Sequence, residues 1–266
     1  VQVSKEVGVE YDVIEYEWGK AIQSSDIKQK LESGKYDAVA LVHNETSTGV
    51  MSDIEGIGAT ISKFPDVCLL VDAVSSMAGI KIEVDEYNID FILASTQKAW
   101  GLPAGFSIAS VSNKFINKSA TMDNKGYILN IDIYEKYYTK NQTPYTPSIP
   151  HLFGLKKALE LIFKEGLENR WNRHKEMANI AKTWALDMGQ SLYADKDAQS
   201  YTVTSIKNDM NWDINKINER LLSKGFRMDR GYGNLKGEVF RISHMGNIFQ
   251  KDLIEYLNVF KECIND

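Results

Sequence analysis

Cysteine, basic charge and long apolar runs are all scarce in this chain, and each shortage removes a class of protein. Only Cys68 and Cys263 occur among 266 residues. One lies inside an apolar run and the other beside the C-terminus, so neither a disulfide framework nor a cysteine-rich metal site can be assembled. That usage predicts a reduced, cytoplasmic protein. Nowhere do eighteen apolar residues run together, and the opening residues "VQVSKEVGVEYD" lack the basic start and apolar block of a secretory signal. Basic residues are outnumbered 31 to 36 by acidic ones, a formal charge of -5, which leaves no electrostatic footprint for nucleic acid or an anionic membrane. A small molecule or another protein is the expected partner. The chain starts on valine rather than methionine, which reads as a processed or incomplete N-terminus.

What the chain does have is a rhythm. Hydrophobic residues make up 43% of it, enough to bury a sizeable core. Apolar runs of strand length recur at "YDVIEY" (11–16), "YDAVALV" (36–42), "VCLLVDAV" (67–74), "DFILAS" (90–95) and "GFSIASV" (105–111). Near-continuous rather than alternating runs are expected of strands covered on both faces. Among them, "SDIEGIGATISKF" (52–64) puts Ile54, Ile57, Ile61 and Phe64 on one helical face, with Ser52 as N-cap. Such alternation predicts a mostly parallel, doubly wound α/β sheet. The rhythm lapses over 111–150, which ends in "NQTPYTPSIP"; its three prolines enforce extended or turn geometry, and the stretch reads as a surface loop. Two amphipathic helices follow at 151–166 and 167–189. A strand at 201–206, a helix at 213–224, a strand at 238–243 and a helix at 249–264 make a small α+β unit. The expected division is a large domain over 1–150, connecting helices over 151–190 and a smaller C-terminal domain over 191–266.

In open α/β sheets ligands gather outside the carboxyl ends of the strands. Polar residues that directly follow apolar runs are therefore the first candidates: "HNETSTG" (43–49), Asp72, and "STQK" (95–98). Singly, each suits ordinary loop chemistry or a helix cap. Together they form one crevice holding the hydroxyls of Thr46, Ser47 and Thr48, the Asp72 carboxylate, the Gln97 amide and the Lys98 amine. No metal-spaced cluster, Walker-type glycine loop or G-x-S-x-G elbow accompanies them. A lysine in a partly desolvated crevice would have its pKa depressed, as an imine-forming amine needs, although the same side chain could simply snorkel to solvent. An aspartate there is costly unless a cation meets it, and a protonated ring nitrogen is such a cation. The pair Asp72 and Lys98 asks for a ring bearing both an aldehyde and a basic nitrogen.

The blocks "HNETSTGV", "VDAVSSMAGI", "STQKAWGLPAG", "TPYTPSIPHLFGLKKALE" and "FRISHMGN" resemble those of class V aminotransferases of the pyridoxal-phosphate fold type I superfamily. They are most like the alanine-glyoxylate, serine-glyoxylate and serine-pyruvate branch. The blocks follow the family's order along essentially the whole chain, with 26 positions (98 minus 72) from aspartate to lysine. The resemblance implies that 1–150 is the cofactor-binding domain and that Lys98 forms the Schiff base with pyridoxal 5'-phosphate, then shuttles the substrate proton. It implies that Asp72 keeps the pyridine nitrogen protonated, that Val74 presses on the ring, that Thr46 sits near the ring 3-hydroxyl and that Gln97 binds the phosphate. Thr143 and Thr146 of "TPYTP" would reach into a neighbouring subunit's phosphate site, hence a homodimer; the same loop also reads as a proline-stiffened connector. Arg241, which interrupts the apolar strand "VFRIS", would clamp the substrate carboxylate with its planar fork. His244 and Asn247 would shape the turn, and His43 and Glu45 would orient the loop after the second strand.

The resemblance also sets expectations of what is lacking. A family member begins earlier, with a Gly- and Ser-rich turn leading into a helix whose N-terminus holds the cofactor phosphate, followed by a ring-stacking aromatic; Val1 falls just past that aromatic. A cysteine desulfurase would want a histidine before the lysine and a mobile active-site cysteine, where this chain has Gln97 and two cysteines remote from the motif. The implied reaction is transamination of alanine or serine with glyoxylate or pyruvate. Two alternatives stay open: a phosphonate-type transaminase acting on 2-aminoethylphosphonate, and a truncated, non-catalytic homologue.

Overall fold

The computed structural model describes residues 1–123 and 125–265. In chain order the elements are α1 (Gln2–Glu6), α2 (Ser24–Ser33), β1 (Ala38–Val42), β2 (Asn44–Glu45), β3 (Val50–Met51), α3 (Ile54–Ile61), β4 (Cys68–Asp72), β5 (Phe91–Ser95), β6 (Ser107–Val111), α4 (Asn113–Ala120) and α5 (Ile131–Tyr138). They continue with α6 (Ile149–Glu165), α7 (Leu167–Asp187), β7 (Val203–Lys207), α8 (Ile214–Ser223), β8 (Val239–Ser243) and α9 (Gln250–Asn265).

The main sheet has the order β1-β4-β5-β6, with β1, β4 and β5 parallel and β6 antiparallel. The α/β architecture with a mostly parallel sheet therefore stands. Ile54, Ile57 and Ile61 are spaced to face the sheet together, and they are 4%, 0% and 1% exposed in one core with Leu69, Val71 and Ile92. Each such burial contributes about 1.5–3 kcal/mol. A second core lies on the antiparallel pair of β7 and β8, where Phe240 packs 5.6 Å from Phe260 and 5.7 Å from Trp212. Both cysteines are buried and free. Among the described residues no helix is long and apolar enough to cross a membrane.

Four expectations need correction. Residues 11–16 form no strand; they lie mostly exposed, tied down by the Tyr36 hydroxyl donating to Asp12 at 2.5 Å and the Tyr16 hydroxyl donating to Asp26 at 3.0 Å. An apolar run becomes a strand only where a neighbour completes its hydrogen bonds, and this one pairs with none among the described residues. The cap of α3 is Asp53, whose carboxylate accepts from the Gly56 N–H at 3.0 Å, whereas Ser52 accepts from the Ile22 N–H at 3.2 Å. The stretch 111–150, of which residue 124 lies outside the described residues, is not simply a loop. Ser112 caps α4 by accepting from Phe115 N–H, Asn130 caps α5 by accepting from Asp132 N–H, and Phe115 packs 5.0 Å from Phe91. Finally, β1 and β6 are covered incompletely: in β1, Ala38, Ala40 and Val42 are exposed while the residues between them are half-buried.

Candidate active site

The strand register sets the site's floor. Val42 on β1, Asp72 on β4 and Leu93 on β5 lie side by side; β1 and β4 end there and β5 runs on to Ser95, so the loops after the three parallel strands leave from one edge of the sheet. The His43 N–H donates to the Asp72 carbonyl at 2.9 Å, and the Ala73 N–H to that of Leu93 at 2.9 Å. These bonds carry the ladder one step past the strands and fix where the loops diverge.

From β1 the chain enters the tight β2–β3 hairpin. Thr46 lies in its turn, with its hydroxyl bonded to that of Ser75. Glu45 accepts from the Ser47 N–H at 2.8 Å and hydroxyl at 2.6 Å, closing the turn on itself. Buried His43 meets the Ser76 hydroxyl at 2.9 Å, and desolvation holds its pKa down at about 4, so it is neutral. These contacts agree with an orienting part for His43 and Glu45.

Asp72 is half-buried and one of its carboxylate oxygens accepts from the Val74 N–H at 2.9 Å; the other has no hydrogen-bond partner among the described residues. Lys98, also half-buried, follows β5 in a turn closed by the Gly101 N–H donating to its carbonyl at 2.9 Å. Burial is the main reason its pKa lies below the ordinary lysine value. The positive charge of Arg241 adds to the effect, and Asp229, Glu45 and Asp72 oppose it. Asp72 and Arg241 thus both lie near enough to Lys98 for their charges to act on its amine. Gln97 is exposed on the same turn, and Val74 is half-buried after β4. Thr143 and Thr146 are exposed on the connector before α6, where the Thr143 hydroxyl donates to the Tyr145 carbonyl at 2.8 Å. The chain does not bring these two threonines to its own crevice.

Arg241 reaches in from β8. Its Nε and Nη2 donate to the two carboxylate oxygens of Asp229 at 2.8 and 2.7 Å, and its Nη1 donates to the Thr46 carbonyl at 2.9 Å. A guanidinium has five N–H groups; with those three engaged, one remains on each terminal nitrogen. Asp229 was not foreseen from the sequence. Burial alone would raise its pKa, but the Arg241 hydrogen bonds and charge prevail and hold it below the ordinary carboxylate value. No sequence spacing marks this residue, because it meets Arg241 across a bridge outside the named strands. Beyond β8, His244 is fully buried against the Thr204 hydroxyl at 2.9 Å, and Asn247 abuts Gly101, where an added Cβ would lie 3.0 Å from its amide nitrogen. His244 thus ties the end of β8 to β7, and Asn247 lies against the Lys98 turn.

A crystal structure of an alanine–glyoxylate aminotransferase from Nostoc sp. superposes with a TM-score of 0.91 at 28% identity, covering 99% of this chain and 71% of that one. The architecture is thus that of the fold type I aminotransferases. The class-V aminotransferase profile matches residues 1–228, and the chain belongs to that family. An uncharacterized aminotransferase of Methanocaldococcus jannaschii is 37% identical over 250 residues, which is 92% of this chain and 64% of that protein. A serine–glyoxylate aminotransferase of Arabidopsis thaliana is 32% identical over 100% of this chain and 68% of its own length. The chain therefore spans about two thirds of the length of these curated relatives.

Proposed function

We propose that this chain carries the catalytic centre of a pyridoxal-phosphate-dependent aminotransferase that moves the amino group of L-serine or L-alanine onto a 2-oxo acid such as glyoxylate or pyruvate. The nitrogen leaves one acid, which becomes a 2-oxo acid, and appears on the other, which becomes an amino acid. The observation that carries this reading is the meeting of a pKa-depressed lysine, a half-satisfied carboxylate and an arginine with two unengaged N–H groups in one crevice. The two glyoxylate-using relatives support the choice of substrates.

The residues fit the cofactor. Asp72 has an unengaged oxygen for a protonated ring nitrogen, and Lys98 has an amine that is more often unprotonated than an exposed one. Pyridoxal phosphate, when bound, supplies an aldehyde carbon conjugated to an electron-withdrawing ring. Lys98 would hold that carbon and, once released, move the proton at the substrate Cα. Val74 would bear on one ring face, Thr46 would serve the 3-hydroxyl, and Gln97 the phosphate. Arg241, aligned by Asp229, would receive the substrate carboxylate. In this reading 1–150 is the cofactor-binding domain and 191–266 the small one, with 151–190 between them. Thr143 and Thr146 would complete the phosphate site of a second copy; sedimentation should then give a dimer, and a monomer at high concentration would remove them from the site.

Mixing the protein with pyridoxal phosphate should give an imine absorbance band, and borohydride should fix the cofactor on the peptide containing Lys98. Both should vanish in Lys98→Ala. Adding L-alanine, L-serine or 2-aminoethylphosphonate then identifies the donor by which one yields the pyridoxamine form. No band and no adduct in the unaltered protein would overturn the proposal, and turnover of the aminophosphonate alone would reassign its substrate.

A further inference from the structure

Loops that meet at a sheet rim need something to hold them in register, and here two of them are bonded by one side chain of α7. Helix α6 ends at Glu165, Gly166 turns the chain at φ +84, and α7 starts at once. Arg170, Arg173 and His174 then fall three and four positions apart, on one face of α7.

Arg170 is only 1% exposed. A guanidinium so buried must have its donors met. Nε donates to the Ala78 carbonyl at 2.8 Å, Nη2 to the Ala99 carbonyl at 2.6 Å, and Nη1 to Glu165 at 2.8 Å. Ala99 directly follows Lys98. Ala78 lies in the turn over 74–79 that follows β4 and Asp72, and at φ +69 it sits in a backbone region that costs a residue with a Cβ about 1 kcal/mol or more. Arg173 takes the other oxygen of Glu165 with its Nε at 2.5 Å. Its Nη2 donates to the Gly246 carbonyl at 3.1 Å, its Nη1 to that of Ile248, and the guanidinium stacks on Phe249 at 4.6 Å. His174 joins the two halves: its Nδ1–H donates to the Arg170 carbonyl at 2.7 Å, and its Nε2 accepts the Gly246 N–H at 3.1 Å.

We propose that Glu165, Arg170 and Arg173 form a positioning clamp for the site, in which Arg170 sets the Lys98 turn against the Asp72 loop and Arg173 sets the loop that follows Arg241. Glu165 links the two arms through a single carboxylate. The inference rests on the reading of Lys98 as the reactive amine. None of the three residues needs to touch substrate or cofactor. The influence of Arg170 on Lys98, supported by Glu165, passes through the Ala99 carbonyl, which fixes how deeply that amine is buried among Arg241, Asp229, Glu45 and Asp72.

The test uses the cofactor-free protein and reads the amine itself. Reductive methylation of Lys98 by formaldehyde and cyanoborohydride, followed against pH by peptide mass spectrometry, yields its apparent pKa. In Arg170→Lys a lone ammonium cannot span the Ala78 and Ala99 carbonyls as the planar fork does, so the turn should loosen and the amine become better solvated. The Lys98 pKa should then rise by about half a unit or more, roughly a threefold drop in free amine near neutrality. Arg173→Lys should leave that pKa unchanged while speeding amide exchange over residues 244–248. Should Arg170→Lys fail to fold, Glu165→Gln serves instead, and a smaller rise in the same direction is expected. A folded Arg170→Lys or Glu165→Gln protein that melts earlier yet keeps the original Lys98 pKa would reduce the cluster to ordinary support and overturn the proposal. This titration needs no turnover, so a failure to bind pyridoxal phosphate would count against the aminotransferase reading and leave the clamp result intact.

Discussion

Lys98 is tuned by opposing neighbours, and the sign of each can be checked. Arg241 lowers its pKa and Asp229 raises it. Asp229→Asn should therefore lower the Lys98 pKa further, while Arg241→Gln should raise it toward the ordinary value; titrating the methylation rate of Lys98 measures both. Shifts in the reverse order would mean that solvation, not charge, governs the amine. Asp229→Asn should also raise KM for an amino acid substrate by roughly tenfold or more, because Arg241 loses a charge-assisted partner worth about 1.5–3 kcal/mol that fixes its fork. At this scale the sequence was informative where a polar residue ended an apolar run or interrupted one, as Asp72, Lys98 and Arg241 do. It was silent about Asp229, 12 positions from its arginine, and about the reach of Arg170 to carbonyls 71 and 92 positions away.

Elements were legible where their own side chains decide their fate. The isoleucines of α3 and the runs that became β4 and β5 carry their burial in their composition, and they formed as expected. The run at 11–16 forms no ladder, and α4 and α5 begin at the Ser112 and Asn130 caps, which the run of apolar residues alone does not mark. Two substitutions in or beside α3 test its packing. A Cβ on Gly58 would lie 1.8 Å from the Tyr87 carbonyl oxygen, so Gly58→Ala should force the helix off its seat and cost about 1–3 kcal/mol, despite alanine's better helix propensity. Asp53→Ala should cost about 1 kcal/mol through loss of the cap. Urea denaturation measures both; a Gly58→Ala protein as stable as the original would mean that the contact with residue 87 yields freely.

For the molecule as a whole, His43, His174 and His244 are buried and neutral, with pKa values near 4, 4 and 3 against an ordinary 6.5, because burial excludes the charged form. Their contribution to stability is complete above pH about 6.5 and declines as the pH falls toward 4, since the unfolded chain then binds protons that the folded one refuses. Each histidine adds up to about 1.4 kcal/mol per pH unit to the slope. The urea midpoint should fall clearly between about pH 7 and about pH 5, before carboxylate titration dominates. A flat profile there would mean that the folded protein accepts the protons.

The bond from Arg241 to the Thr46 carbonyl joins residues 195 positions apart. Contacts between neighbours in sequence can form in microseconds, but closing so long a loop must wait until the intervening chain has condensed. The amine environment at Lys98 should consequently be among the last features to mature during refolding, lagging behind the return of helical circular dichroism. A chain emerging from the ribosome would present its lysine and aspartate long before the arginine that completes their surroundings.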